Sequence, residues 1–154
     1  VPEPRLGRLF LYRPERAGLH RALRAIRPGV VHAHGSGVYV DAAITSHERW
    51  RLQLQDMVNG RSDEVMRPER ICQDDRCDLG RWLYGTGRVR LGHYPAFDML
   101  VARHKYFHQQ AADVVTAFQS GDQPKAAQLL NGSCRHASNQ VLLLLKELKR
   151  GLQR

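Results

Sequence analysis

Three long stretches of the chain place apolar residues at alternating spacings of three and four, the signature of a helix with one buried face. The first starts at Asp41, an N-cap residue type, and runs Ala43, His47, Trp50, Leu54, Met57 before Asn59-Gly60 closes it. The second starts near Pro95 and runs Phe97, Val101, His104, His108, Ala111, Val115, Phe118 up to Ser120-Gly121-Asp122. The third opens at Pro124 and runs Ala127, Leu130, Cys134, Ala137, Val141, Leu144, Leu148. Gly132 falls inside it, at a cost of about 1 kcal/mol relative to Ala, and marks a site for a local irregularity. Between the first two stripes, residues 61–76 are polar and hold Pro68, so they read as a connection with at most short helical turns. A short helix is expected at Asp78–Tyr84, stopped by Gly85-Thr86-Gly87. No strand-like alternation competes with this pattern. The expected fold is all-α: an antiparallel four-helix bundle with a short extra helix.

The N-terminal segment differs. Pro2, Pro4, Pro14 and Pro28 interrupt it, one short helix fits Glu15–Ile26, and His34-Gly35-Ser36-Gly37 reads as a loop. Residues 1–38 are therefore expected to be a poorly ordered Arg-rich extension, residues 39–150 the helical domain, and residues 151–154 a tail. His32 and His34, two apart in a Gly-rich stretch, do not make a metal pair.

Composition and charge narrow the function. The chain has 154 residues, 42% hydrophobic and 25% charged, which is globular rather than disordered. The net charge of +9 invites a nucleic-acid reading. Residues 1–40, however, carry seven arginines against two acids, and the remainder holds 17 basic and 13 acidic residues. Those are scattered, with no aromatic interleaving, so no nucleic-acid partner is expected. No apolar run reaches the ~20 residues of a membrane helix or the roughly 7–15 of a signal peptide core. Three cysteines do not make a disulfide framework. The expected compartment is the cytoplasm, with no membrane association.

The stripes also contain the chemistry. His47, His104 and His108 stand where apolar residues belong, and residues four apart on a helix share a face. Buried imidazoles must hydrogen-bond or coordinate something. Cys77 offers a fourth ligand: it precedes a short helix and is flanked by Arg76 and Arg81, features expected to lower a thiol pKa. One Cys and three His suit zinc, drawn from three separate elements. Cys72 is five residues away and could resolve an oxidised Cys77; Cys134 sits on an apolar stripe and reads as core. His93 and His136 read as surface groups, Trp50 and Trp82 as core anchors, and Asp74, Asp75 and Asp78 as turn and cap residues, one of which could orient a ligand histidine.

The order His47-x-x-Trp50, then Cys77-Asp-Leu-Gly80-Arg-Trp82-Leu-Tyr-Gly85, then His104-x-x-x-His108 resembles the bacterial chemoreceptor zinc-binding (CZB) domain over roughly residues 39–150. The resemblance implies a four-helix bundle holding zinc through His47, Cys77, His104 and His108. It implies a cytoplasmic regulatory sensor of zinc or thiol oxidants rather than an enzyme. The implied partner is a signalling protein such as a chemoreceptor or a diguanylate cyclase, and a homodimer is compatible with it. No cyclase signature or long receptor coiled coil accompanies the domain, so the expectation is a free-standing member. The competing expectation is a zinc-dependent hydrolase with an open metal position, which four ligands and no evident general base disfavour. A hemerythrin-like oxygen carrier would need carboxylate ligands that the stripes lack.

Overall fold

The structure, a computed structural model, describes residues 34–153. The helix expected at Glu15–Ile26 and most of the expected extension lie outside the described residues. The described chain runs α1 (His34–Val58), α2 (Pro68–Ile71), α3 (Asp78–Tyr84), α4 (Thr86–Leu91), α5 (Pro95–Gln119), α6 (Gln123–Leu129), a π-helical turn (Leu130–Cys134) and α7 (Arg135–Leu152).

The three stripes become the three long rods, with α6, the π-turn and α7 forming one kinked rod. Gly132 carries the kink, at φ −98° and ψ −105°, where the sequence placed an irregularity. Gly60 and Gly121 adopt positive φ (68° and 80°) and end α1 and α5. At each end, the N–H after the glycine reaches back five residues, Arg61 to Asp56 and Asp122 to Ala117. Asp122 then caps α6 by accepting from the Lys125 N–H.

Direction follows from the ends. Asp41 near the start of α1 pairs with Lys149 near the end of α7, at 2.6 Å. The Gln123 side-chain amide at the start of α6 donates to the Val58 carbonyl at the end of α1. So α1 runs antiparallel to α6–α7, as does α5 through its tight turn. Helix α2 packs against α5, α3 against α1 and α5, and α4 against α3, which completes an all-α bundle. The core draws on every long rod: Val40, Leu54 and Met57 of α1, Phe97, Leu100, Phe107 and Val115 of α5, and Val141, Leu145 and Leu148 of α7. Among the described residues, no helix is long and apolar enough to cross a membrane.

Two boundaries differ from expectation. The helix begins at His34 rather than Asp41, so the stretch expected as a loop is its first turn. The N–H groups of a first turn need no partner within the helix, which lowers the cost of glycine there. Val40, fully buried, extends the stripe backward and anchors it, while Asp41 serves as an ion-pair partner instead of a cap. Helix α1 thus starts before residue 39 and α7 runs beyond residue 150. The second difference is α4. The stop expected at Gly85-Thr86-Gly87 is Gly85 alone (φ −112°, ψ −118°), and a new turn starts at Thr86. Gly87 lies so close under Trp82 that a Cβ would sit 2.8 Å from the indole.

Candidate metal centre

Helix α5 supplies two donors. His104 and His108, both almost fully buried, are one turn apart with their Nε2 atoms 3.1 Å from each other. The second nitrogen of His108, Nδ1, donates to the carbonyl of Ile71 at 2.5 Å. Ile71 ends the single-turn helix α2, where a carbonyl has no partner within the helix. That hydrogen bond places the proton on Nδ1 and leaves the Nε2 lone pair facing His104. His104 Nδ1 has no partner among the described residues, so its ring meets polar groups through Nε2.

The third donor is Cys77, the N-cap of α3. Its Sγ accepts from the Gly80 N–H at 3.2 Å and lies 3.2 Å from His104 Nε2. The Cys-Asp-Leu-Gly spacing makes this possible, since an N-cap side chain reaches the N–H three residues on. Gly80 is also where the chain doubles back on itself: a Cβ there would fall 1.7 Å from the Asp74 carbonyl oxygen. Tyr84 donates to the Asp74 carboxylate at 2.5 Å and ties the end of α3 to the same loop.

Cys77, His104 and His108 thus offer ligand atoms that all lie within 4.8 Å of one another. With Zn–N near 2.0–2.1 Å and Zn–S near 2.3 Å, a tetrahedral zinc spaces its donors about 3.3 Å (N to N) and about 3.6 Å (N to S) apart. The observed 3.1 and 3.2 Å are close to these edges, and the donor chemistry is the borderline-soft set that zinc prefers.

The fourth expected ligand, His47, is buried on α1 but does not join this group of three. Its Nε2 lies 3.0 Å from Ser138 Oγ on α7, and its ring packs edge-on against Phe107 at 4.5 Å. Trp50, one turn on, packs against both Phe107 and His108, and Trp82 packs against Phe97. Both tryptophans are core anchors beside the site. Cys72, His93 and His136 are exposed, and Cys134 is buried in the core, where burial pushes its thiol up to about 12. Sequence reasoning missed the Ile71 carbonyl and Ser138. The carbonyl, not a carboxylate of Asp74, Asp75 or Asp78, holds His108. Ser138 was legible as a polar residue in the stripe Cys134, Ser138, Val141, Leu145, at spacings of four, three and four.

The electrostatics correct one expectation. The Cys77 thiol is pushed up to about 12, not lowered. Burial dominates and the Asp78 and Asp74 charges add to it, against the opposing pull of the Gly80 N–H. Arg76 is exposed and faces Asp75 at 3.9 Å instead of the sulfur. A metal entering at neutral pH must therefore displace the thiol proton. The histidines are already prepared: burial, reinforced by their mutual repulsion, lowers His47 to about 3 and His104 to about 2, and burial lowers His108 as well.

A pH dependence follows for the metal-free protein. Histidines with depressed folded pKa values bind fewer protons folded than unfolded below pH 6.5, so stability falls as the pH drops. Held neutral at pH 5, a buried imidazole costs on the order of 2 kcal/mol against its unfolded value. Urea midpoints of metal-free protein should therefore fall steeply between pH 7 and 5. The His47→Phe variant should show a shallower fall, and equal slopes would mean that His47 is not held neutral.

Among known families, the model described as chemoreceptor zinc-binding domain matches residues 47–115, a span that begins at His47 and includes Cys77, His104 and His108. No curated protein and no solved structure matches the chain. The match takes in the Cys77, His104 and His108 cluster, whose spacing and donor chemistry suit zinc. Residues 47–115 are thus similar to the chemoreceptor zinc-binding domain, and the cofactor is zinc.

Proposed function

We propose that the domain, taken as residues 39–150, is a cytoplasmic sensor in bacterial signalling. In this reading His47 joins Cys77, His104 and His108 as the fourth zinc ligand, and the state of the site is read by a partner such as a chemoreceptor or a diguanylate cyclase. The observation that carries this is the convergence of one thiol and two imidazoles, drawn from α3 and α5, within 4.8 Å. When bound, zinc supplies a cross-link between these elements and stabilises the Cys77 thiolate.

The sulfur is the weak point of such a cross-link. A thiolate that reacts with hypochlorous acid becomes a sulfenic acid and releases chloride, and the product is a poorer zinc ligand. Cys77 sits in a segment whose core contribution before α3 is only Met66 and Ile71. The long helices are packed by their own stripes. Loss of the sulfur should release the short helices first and leave α1, α5 and α7 in place, which is the two-state element a signal needs.

Hydrogen exchange on zinc-bound and hypochlorous acid-treated protein tests this. Faster exchange confined to about residues 66–90 is the expected result. Uniform loosening of every helix would mean that zinc only holds the fold together.

The three-donor cluster also admits a second reading, a catalytic zinc with one open position. His104 and His108 are only 1% and 2% exposed, so a substrate would have to unpack the bundle to reach them. The sensor reading needs no such opening.

A further inference from the structure

Helix α7, with Cys134 just before it, turns an otherwise apolar face to the bundle: Cys134, Ala137, Val141, Leu145 and Leu148 are all buried. Ser138 interrupts it. It is fully buried, and its Oγ lies 3.0 Å from Nε2 of His47, a residue 91 positions away in the chain. A hydroxyl buried in an apolar face must find a partner, and alanine would pack there without one. His108 is held by a comparable outer hydrogen bond. There the Ile71 carbonyl takes the Nδ1 proton and frees Nε2 for the donor group.

We infer that Ser138 is the positioning residue of His47. Its hydroxyl accepts the Nε2 proton, fixes the ring in one tautomer, and leaves the Nδ1 lone pair for the metal. Outer partners of this kind orient ligand imidazoles and typically change metal affinity by about 10–100-fold. The inference rests on the proposed role of His47 as fourth ligand. It brings α7 into the surroundings of the metal centre as a fixed support.

The test uses the described domain within the full chain. Zinc affinity is measured by competition with a chromophoric chelator, and the His47 tautomer by long-range ¹⁵N–¹H correlation on metal-free protein. Ser138→Ala should weaken zinc binding about 10-fold with unchanged stoichiometry. Ser138→Thr should restore most of the affinity, and wild-type His47 should carry its proton on Nε2. His47→Ala should weaken binding at least as much as Ser138→Ala. If His47→Ala weakens binding but Ser138→Ala binds zinc as the wild type does, or more tightly, the positioning role falls while the ligand set stands. If His47→Ala itself binds like the wild type, the ligand reading falls and this inference with it. A proton found on Nδ1 of His47 in the wild type overturns the inference without reference to any variant.

Discussion

Zinc is expected to raise the melting temperature of this protein by about 10–20 °C when supplied at a thousand times its dissociation constant. A ligand that binds only the folded state contributes RT ln(1 + [L]/Kd), about 4 kcal/mol at that excess. For a domain of this size each kcal/mol moves the midpoint by roughly 3–5 °C. The donors come from elements far apart in sequence, Cys77 at the start of α3 and His104 and His108 in the middle of α5, so an unfolded chain does not hold them together. His104→Ala should abolish most of the zinc-dependent shift. Cys72→Ala should keep it, because Cys72 is exposed and outside the cluster. Equal losses from the two variants would undo the assignment of donors.

Gly80→Ala is expected to be the most damaging glycine-to-alanine change among the described residues from Gly60 on, about 3 kcal/mol or more, with loss of tight zinc binding. The added Cβ would meet the Asp74 carbonyl oxygen at 1.7 Å and the Asp75 Cα at 3.1 Å. Both are backbone atoms, so no rotamer change relieves the clash; α3 must move away from the loop at 74–75. That approach is what aims the Cys77 sulfur, because Gly80 also donates its N–H to it. Gly151→Ala is the control. It lies in α7 with nothing within 4 Å of its Cβ position, and should be neutral or stabilising by up to about 1 kcal/mol. Chemical denaturation of the two variants with and without zinc measures the contrast. A mild effect at Gly80 would mean that the loop is not packed as described.

The bundle was legible because its information is periodic. Ala43, His47, Leu54 and Met57, or Phe97, His104, His108, Ala111 and Val115, are all buried as their spacing implies. The histidines announced themselves by standing in those stripes. Leu100, Phe107 and Val114 escaped because α5 is covered on more than one side, so its buried face is wider than a single stripe. The start of α1 escaped because a first turn tolerates Gly35 and Gly37, residues that elsewhere signal a loop. The Ile71 carbonyl could not be read at all, since every residue has one and only the tertiary fold selects it. The Cys77 thiol was misjudged for a related reason. Arg76 and Arg81 are its neighbours in sequence, but so are Asp78 and Asp74, and burial, which only the fold sets, decides the direction.

The proposed zinc site has one sulfur and three imidazole nitrogens around a single ion. X-ray absorption at the zinc edge of the one-to-one complex tests it directly. The account predicts one sulfur near 2.3 Å and three nitrogens near 2.0–2.1 Å. A shell without sulfur, or with two sulfurs, would contradict it.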